Sequence, residues 1–216
     1  MFDAENFDKA LADLRAGRMI LVVDDEDREN EGDLVAPAEL VTGEQINAMA
    51  RDARGLICIA IKREVAEAKA LPLMVERTED HLGTAFTVSV DAAPRFGVTT
   101  GISAFDRAET VRVILDDTLG PDALSRPGHM FPLVAHPAGV LGRRGHTEAT
   151  TDLCALAGLR PAAVIVEILA EDGTMAREAE LKEFARFHGL TTVTVEDVTR
   201  ARLARITEDL ELAAAE

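Results

Sequence analysis

The stretch AAVIVEIL, residues 162–169, is the strongest β-strand pattern in the chain, with Glu167 as its one charged residue. LICIAI, residues 56–61, is apolar on both faces, which is typical of a strand buried in a sheet that is covered on both sides. Further strands are predicted at RMILVV (18–23), TAFTVSV (84–90), FPLVA (131–135) and TTVTV (191–195).

Helical patterns alternate with these strands. Thr42 and Gln45 form a capping-box pattern in front of one helix, which we expect to end at Gly55. No internal repeat or Pro/Ser-rich linker divides the chain, so the pattern predicts an α/β fold: a single domain with a mixed sheet and helices on both sides. Helices are predicted at 5–16, 46–53, 63–70, 106–115, 147–158, 178–188 and the charged C-terminal stretch.

The composition excludes several classes of function. The chain has 216 residues, 47% apolar content and a formal net charge of −16, and it lacks Trp and Tyr. Such a charge repels phosphate backbones and anionic membranes, and without Trp or Tyr an aromatic stacking platform for single-stranded nucleic acid is not expected. We therefore expect neither a nucleic acid nor a membrane as partner.

Targeting signals and cysteines point to the cytoplasm. The N-terminal MFDAENFDKA is acidic and has no continuous apolar stretch, so it does not resemble a signal peptide. No run approaches the roughly 20 apolar residues of a membrane span. Cys58 and Cys154 lie in apolar segments, where cysteines usually pack as small hydrophobic residues, and a reducing compartment fits that role.

The acidic loop, residues 24–33 (DDEDRENEGD), follows the first predicted strand and holds seven carboxylates and one arginine. Neighbouring carboxylates repel one another, and folding does not require so many in one place. The loop serves a cation, a substrate or only a solvated surface turn. An EF-hand is excluded, because Asn30 stands where that motif needs glycine and a strand enters the loop.

Two other polar features stand out. Gly145, His146 and Thr147 directly precede a helical pattern, where free N–H groups form a phosphate cradle and His146 offers a metal ligand; the alternative is an ordinary Thr N-cap. Glu167 lies inside an apolar strand, where a carboxylate is paired with an arginine, protonated or directed at a wet site.

Taken together, five segments make the chain resemble the 3,4-dihydroxy-2-butanone 4-phosphate synthase family from the first helix to about Val198. Two positions depart from the family pattern, because Ala138 and Arg144 stand where glycine is common. The segments are, in order, DDEDRENEGD (24–33), TTGISAFDR (99–107), RPGHMFPL (126–133), RRGHTEATTDLCALAG (143–158) and DGTMAR (172–177).

The resemblance implies that family's fold and its reaction in riboflavin biosynthesis. D-ribulose 5-phosphate would be converted to L-3,4-dihydroxy-2-butanone 4-phosphate and formate, with two divalent ions, Mg²⁺ or Mn²⁺, in each site. It also implies a homodimer. Residues 1–216 are expected to form one catalytic domain, without the GTP cyclohydrolase II domain that many family members carry.

The resemblance also assigns roles to individual residues. Metal binding is implied for Glu29 and His146, and Cys58 is matched either to a sugar contact or to packing. Catalytic roles are implied for Asp27, Glu31, His129 and Glu167. Substrate contacts are implied for Arg28, Glu29, Asp33, Arg143, Arg144, Gly145, His146, Thr147 and Glu167.

Enolisation, loss of water, skeletal migration and release of formate each develop negative charge on oxygen, which explains a site rich in cations and in acids and bases. Because no apolar side chain anchors the acidic loop, we expect it to act as a lid that is mobile without ligand. Two other functions remain open: another metal-dependent sugar-phosphate isomerase or lyase, and a non-catalytic binding module that docks through the loop.

Overall fold

A computed structural model of the protein describes residues 2–214. Met1 and residues 215–216, the ends of the predicted domain, lie outside this range. The strands are β1 (Ile20–Val23), β2 (Gly32–Pro37), β3 (Cys58–Ile61), β4 (Val90–Ala92), β5 (Leu124–Val134), β6 (Ala163–Glu167) and β7 (Thr192–Thr194). The α-helices are α1 (Ala4–Arg15), α2 (Gly43–Ala48), α3 (Arg63–Ala68), α4 (Ala104–Leu115), α5 (His146–Leu156), α6 (Glu178–His188) and α7 (Val195–Ala214).

These strands form one sheet in the order β4-β5-β3-β6-β2-β1-β7. Two neighbouring pairs, β1 with β7 and β3 with β5, are parallel, and the other four are antiparallel. The predicted mixed sheet is therefore confirmed. The strand read from AAVIVEIL takes the central position, and it pairs on both sides with strands that are themselves buried.

Helices cover both faces of the sheet, as predicted. On one face, Ile46 of α2, Val111 of α4 and Leu181 of α6 belong to the same apolar cluster as Val164 and Val166 of β6. The other face of β6 packs in a second cluster with α1, α5 and α7. Because successive residues of a strand point to opposite faces, a strand between two helical layers must be apolar throughout, which explains its sequence.

The predicted strand at 84–90 is wrong as a continuous element. Phe86 and Thr87 form only isolated bridges, and the ladder with β5 begins at Val90. The N–H of Thr87 donates to the carbonyl of Pro132 at 2.9 Å. Proline has no N–H to donate in return, so a regular ladder cannot continue at this point.

Strand β2 is an element that the sequence did not predict, and β5 begins at Leu124 rather than at residue 131. All six residues of β2 are buried. Gly32, Asp33 and Pro37 are residue types that disfavour strands, and pairing with β1 and β6 overrides that local preference.

The second predicted helix also ends differently. The α-helical part stops at Ala48 and continues as a π-helical turn, Met49–Ala53. Arg54, with φ of 70°, supplies the left-handed residue after this turn, so Gly55 is not the terminator that we expected. The capping box of Thr42 and Gln45 is present as predicted.

Both cysteines are buried and unpaired, as expected from their apolar segments. Within residues 2–214, none of the helices combines the length and the apolar character needed to cross a bilayer. That residues 1–216 act as one catalytic domain without a GTP cyclohydrolase II unit stays a prediction.

The helix α1 is tied to the sheet through the buried carboxylate of Asp13. The hydroxyl of Thr191, next to β7, donates to it at 2.5 Å, and Arg18 donates at 2.7 and 3.0 Å. Burial alone raises the pKa of Asp13, but the hydrogen bonds from Thr191 and Arg18 outweigh it, so the pKa lies below 3.8. The charged carboxylate therefore stabilises the fold.

We expect Asp13→Asn to lower the free energy of unfolding at pH 7 by about 1.5–3 kcal/mol, the range for a hydrogen bond to a charged group. Since the folded pKa is depressed, this stabilisation is present above about pH 4 and is lost as the pH falls through the folded pKa. Urea unfolding at pH 7, 5 and 3.5 measures it, with Asp8→Asn on the exposed face of α1 as control. A difference that stays constant with pH would contradict the ionic role.

Candidate active site

Two carboxylates share one row at an end of the sheet. Asp33 of β2 lies opposite Glu167 of β6 in the ladder. Cys58 of β3 pairs with both β6 and β5, and just before β3 the N–H of Leu56 donates to Oε2 of Glu167 at 2.8 Å. The structure thus brings together two site residues that are far apart in sequence.

This row faces the helical layer of α1, α5 and α7. Asp33 and Glu167 lie two residues from Val35 and Ile165, whose side chains pack in the cluster on that face. Alternate residues of a strand share a face, so the two carboxylates point to the same side. Helix α5 starts there with His146, whose charge acts on Asp33.

The start of α5 carries no side-chain cap. Gly145 occupies the N-cap position, and Thr147 is the second residue of the helix, so the alternative of a Thr N-cap is wrong. The N–H groups of a first helical turn have no partner within the helix and attract anions. Gly145, His146 and Thr147 are buried, which places this turn away from bulk water.

The acidic loop is wound around Asp24, a residue that the site prediction missed. The side chain of Asp24 is 0% exposed and accepts hydrogen bonds from the N–H groups of Glu29 (3.2 Å) and Glu31 (2.9 Å). It also accepts one from Arg28 at 2.8 Å. Hydrogen bonds donated to one buried carboxylate thus shape the loop, which is not a simple solvated turn. The available signal was only its position directly after β1.

Three side chains form a candidate cation site. Ligand atoms of Asp24, Glu29 and His146 lie within 4.8 Å of one another. His146 is 7% exposed, its Nδ1 is 3.3 Å from Glu29 Oε2, and its Nε2 is buried without a hydrogen-bond partner in the described residues. A buried polar atom without a partner indicates a missing ligand. Carboxylates with one imidazole suit Mg²⁺ or Mn²⁺, so the residues present fit such an ion.

Glu29 and His146 form an ion pair. Burial lowers the pKa of His146, but Asp33, Glu29 and Asp24 outweigh it and raise the pKa to about 9. Burial raises the pKa of Glu29, but His146 and Arg28 outweigh it and lower the pKa to about 2. At neutral pH the imidazolium therefore balances part of the negative charge of the acidic loop.

Asp33 differs from the other carboxylates of the site. Its complete burial, together with the neighbouring charges of Glu167, Glu29 and Glu31, raises its pKa to about 7. Burial and the charge of Glu29 also raise the pKa of Glu31. Sequence reasoning gave Asp33 only a substrate contact, whereas a carboxyl that titrates near neutral pH is also suited to proton transfer.

The carboxylate of Glu167 is held by backbone. Its Oε2 accepts a hydrogen bond from the N–H of Leu56 at 2.8 Å, and within the described residues it forms no ion pair with an arginine. A Cβ on Gly55 would overlap with the carbonyl oxygen of Glu167 and would lie 2.6 Å from Oε2. Only glycine lets the chain pass so close to this carboxylate.

His129 is oriented by Asp91, a second residue that the prediction missed. The backbone N–H and Nδ1 of His129 each lie 2.8 Å from a different oxygen of Asp91. A Cβ on Gly101, in the TTGISAFDR segment, would overlap with Asp91 and lie 2.7 Å from His129 Nδ1. This pairing directs the proton to Nδ1 and leaves Nε2 for another partner.

The remaining arginines hold backbone and side chains of the site. Arg143 is 19% exposed and donates to Glu148 (2.6 Å), to the carbonyl of Leu82 (3.0 Å) and to Thr84 (2.9 Å). It therefore braces the turn before α5 and has two N–H groups left for a ligand.

Arg144 points away from that turn. Its Nη2 contacts Asp25 of the acidic loop at 3.1 Å and Glu196 of α7 at 2.5 Å. Arg28 pairs with Asp24 and with Glu29, the latter at 2.6 Å. Asp27 is exposed and makes no hydrogen bond or ion pair with other described residues, so the structure does not bring it to the cluster.

We expect Gly55→Ala to push the end of β6 out of place. The free energy of unfolding should fall by about 1–3 kcal/mol, as for other overpacked sites, and the geometry of Glu167 should change with it. Urea unfolding measures the first effect. Gly120→Ala is the control, because a Cβ there meets only Asp122 Oδ1, at 3.2 Å. Equal stability of the two variants would show that the close approach is not tight.

The chain is similar to known proteins over most of its length. The family model of 3,4-dihydroxy-2-butanone 4-phosphate synthase matches residues 8–201. The riboflavin biosynthesis protein RibBA of Synechocystis sp. is 54% identical over 203 residues, which cover 94% of this chain and 36% of that protein. The 3,4-dihydroxy-2-butanone 4-phosphate synthase of Agrobacterium fabrum is 50% identical over 201 residues, 93% of each. The chain thus spans about a third of the first relative and nearly all of the second.

A solved structure has the same fold. A 3,4-dihydroxy-2-butanone 4-phosphate synthase in complex with two magnesium ions superposes with a TM-score of 0.82. It is 45% identical, and the match covers 88% of this chain and 93% of that one. The predicted fold is therefore confirmed.

Proposed function

Because the chain belongs to the 3,4-dihydroxy-2-butanone 4-phosphate synthase family, we propose that it converts D-ribulose 5-phosphate to L-3,4-dihydroxy-2-butanone 4-phosphate and formate. The atoms of the substrate equal those of the two products, so the reaction needs neither an oxidant nor a second substrate. The observation that carries the proposal is the opposed pair Asp33 and Glu167 beside the Glu29–His146 pair. This arrangement combines several proton carriers with a cation site.

The proposal includes two divalent ions, Mg²⁺ or Mn²⁺. Glu29 and His146 would hold them, and Asp24 lies close enough to contribute or to orient Glu29. When bound, such ions supply positive charge beside the oxygens on which negative charge develops during enolisation. Within residues 2–214 the Nε2 of His146 is buried without a hydrogen-bond partner, which supports this part, as does the magnesium complex of a 45%-identical relative.

Substrate binding is assigned to the first turn of α5 and its neighbours. The backbone N–H groups at Gly145, His146 and Thr147 suit the phosphate, since they have no side-chain cap. Arg143 would add its two remaining N–H groups from a braced position, while Arg144 would act on the acidic loop rather than on the phosphate.

The sugar would lie beside the row of carboxylates. Arg28, Glu29, Asp33 and Glu167 are the proposed contacts to its hydroxyls and carbonyl. Cys58 lies in the buried ladder, and burial raises the pKa of its thiol well above the usual range, which supports a neutral packing residue rather than a base.

Proton transfers are assigned to groups with different charge states. Asp33, with a pKa near 7, can carry a proton in either direction at neutral pH. His129 presents Nε2, because Asp91 binds its Nδ1, and Glu167 presents a carboxylate fixed by Leu56. Glu31, and Asp27 at the exposed part of the loop, complete the proposed set of acids and bases.

A homodimer in the cytoplasm is also part of the proposal. Leu56, whose N–H binds Glu167, is 43% exposed, and Ile102, next to Gly101, is 53% exposed. Apolar side chains at the margin of the site are suited to cover by a second copy. The buried, unpaired cysteines support a reducing compartment.

The central test is direct. Purified protein with ribulose 5-phosphate and Mg²⁺ should release formate, which ¹H NMR detects. EDTA should abolish turnover, and excess Mg²⁺ or Mn²⁺ should restore it. Full activity in excess EDTA would exclude the metal-dependent function. Consumption of substrate without formate would instead indicate another sugar-phosphate isomerase or lyase.

Two substitutions separate binding from chemistry. We expect Arg143→Ala to raise KM, with a loss of about 2 kcal/mol for a charge-assisted contact. Glu167→Gln keeps an oxygen that can accept the N–H of Leu56, so the local shape persists while the charge is lost. Its kcat should collapse while the substrate analogue still binds.

Steady-state kinetics and isothermal titration with an unreactive analogue measure both effects. Arg95→Ala, which removes a surface pair with Asp122, is the control. The division of roles is wrong if Arg143→Ala changes kcat alone or if Glu167→Gln turns over normally.

A further inference from the structure

We propose that Arg177, the last residue of the DGTMAR segment, positions Glu29 for metal binding by holding the backbone of the acidic loop. The inference rests on the proposed function, because it concerns the same cation site. It gives a role to a segment that the catalytic assignments leave without one. The claim is about positioning, since Arg177 touches neither Asp24 nor His146 in the contacts of the described residues.

The guanidinium of Arg177 reaches the loop from a distant part of the chain. Its Nη1 donates to the carbonyl of Glu29 at 2.7 Å and to the carbonyl of Asn30 at 2.5 Å. The same atom lies 3.9 Å from Glu31 Oε1. Two consecutive peptide groups are thus fixed next to the Cα of the proposed metal ligand. Asn30, with φ of 53°, is in the left-handed region, so this turn has an unusual shape to maintain.

Asp24 and Arg177 act on opposite groups of the same segment. Asp24 accepts the N–H groups of Glu29 and Glu31, whereas Arg177 binds the carbonyls of Glu29 and Asn30. Glu29 is therefore fixed on both its amide and its carbonyl side. The side chain of Glu29 then has its Oε2 3.3 Å from Nδ1 of His146.

Arg177 itself is fixed to the end of β6. It is the N-cap of α6, and its N–H donates to Glu180 at 2.8 Å. The preceding residue, Ala176, donates to the carbonyl of Ile168 at 3.0 Å, directly after Glu167. The backbone that carries Arg177 is thus joined to the strand that carries Glu167. Arg177 therefore holds the acidic loop at a fixed position relative to the end of β6.

Lysine cannot replace this arginine fully. A planar guanidinium has a pre-organised fork, whereas an ammonium is a strongly hydrated point charge on a flexible stem. The side chain of Arg177 is 47% exposed, so its loss should change the geometry of the loop more than the stability of the fold.

The test uses Arg177→Ala and Arg177→Lys, with Arg95→Ala as the matched control, because Arg95 is 51% exposed and pairs at 2.7 Å with Asp122. Mn²⁺ is the probe, and its free concentration is followed by electron paramagnetic resonance without any substrate. We expect Arg177→Ala to weaken Mn²⁺ binding by roughly 10-fold or more, as is usual for groups that orient a metal ligand. Arg177→Lys should have an intermediate effect, and the control should bind like the wild type.

Amide hydrogen exchange gives a second readout in the metal-free protein. Exchange at Glu29 and Glu31 should accelerate in Arg177→Ala while the core strands keep their protection. Mn²⁺ affinity and loop exchange equal to the wild type would overturn the inference, as would a lower Tm with unchanged Mn²⁺ affinity. If the wild type binds no Mn²⁺, the proposed metal-dependent function fails together with this inference. Wild-type binding with an unaffected variant removes the inference alone.

Discussion

The antiparallel pairing of β2 with β6 puts two acidic residues, Asp33 and Glu167, directly opposite each other at the end of a buried sheet. Like charges opposite each other in a ladder are destabilising, so neighbouring groups must neutralise or bind them. Protonation removes part of the charge, because the pKa of Asp33 is raised. The cationic His146 beside the row and the backbone N–H that binds Glu167 compensate the remaining charge.

His146 shows how strongly this cluster of carboxylates acts. The start of a helix favours negative charge, and burial favours a neutral imidazole, yet His146 holds its proton with a pKa of about 9. The carboxylates of Asp33, Glu29 and Asp24 therefore dominate both effects. A cluster of acids that stabilises positive charge this strongly is suited to divalent cations. The same attraction to His146 explains why the acidic loop lies over the start of α5.

Much of the fold follows from local pattern, but the site follows from it only in part. The central strand, the sheet and both helical layers were predictable because apolar periodicity reports burial. Strand β2 was not, since Gly32, Asp33 and Pro37 disfavour strands and only its neighbours define it. Resemblance to a family pointed to Glu29 and His146. Asp24 and Asp91 were missed because each acts through hydrogen bonds that exist only after folding.

The long separation between the parts of the site has a consequence for synthesis on the ribosome. The acidic loop precedes His146 by 117 residues and Arg177 by 147, counted from Glu29 and from Asn30. It therefore leaves the exit tunnel long before its partners exist, and pairing so distant in sequence is slow to form. During that interval its charges keep the nascent segment hydrated and repel other nascent chains, which protects the adjoining apolar β1 from aggregation. The acidic residues that build the site thus also keep β1 soluble while the rest of the chain is still being made.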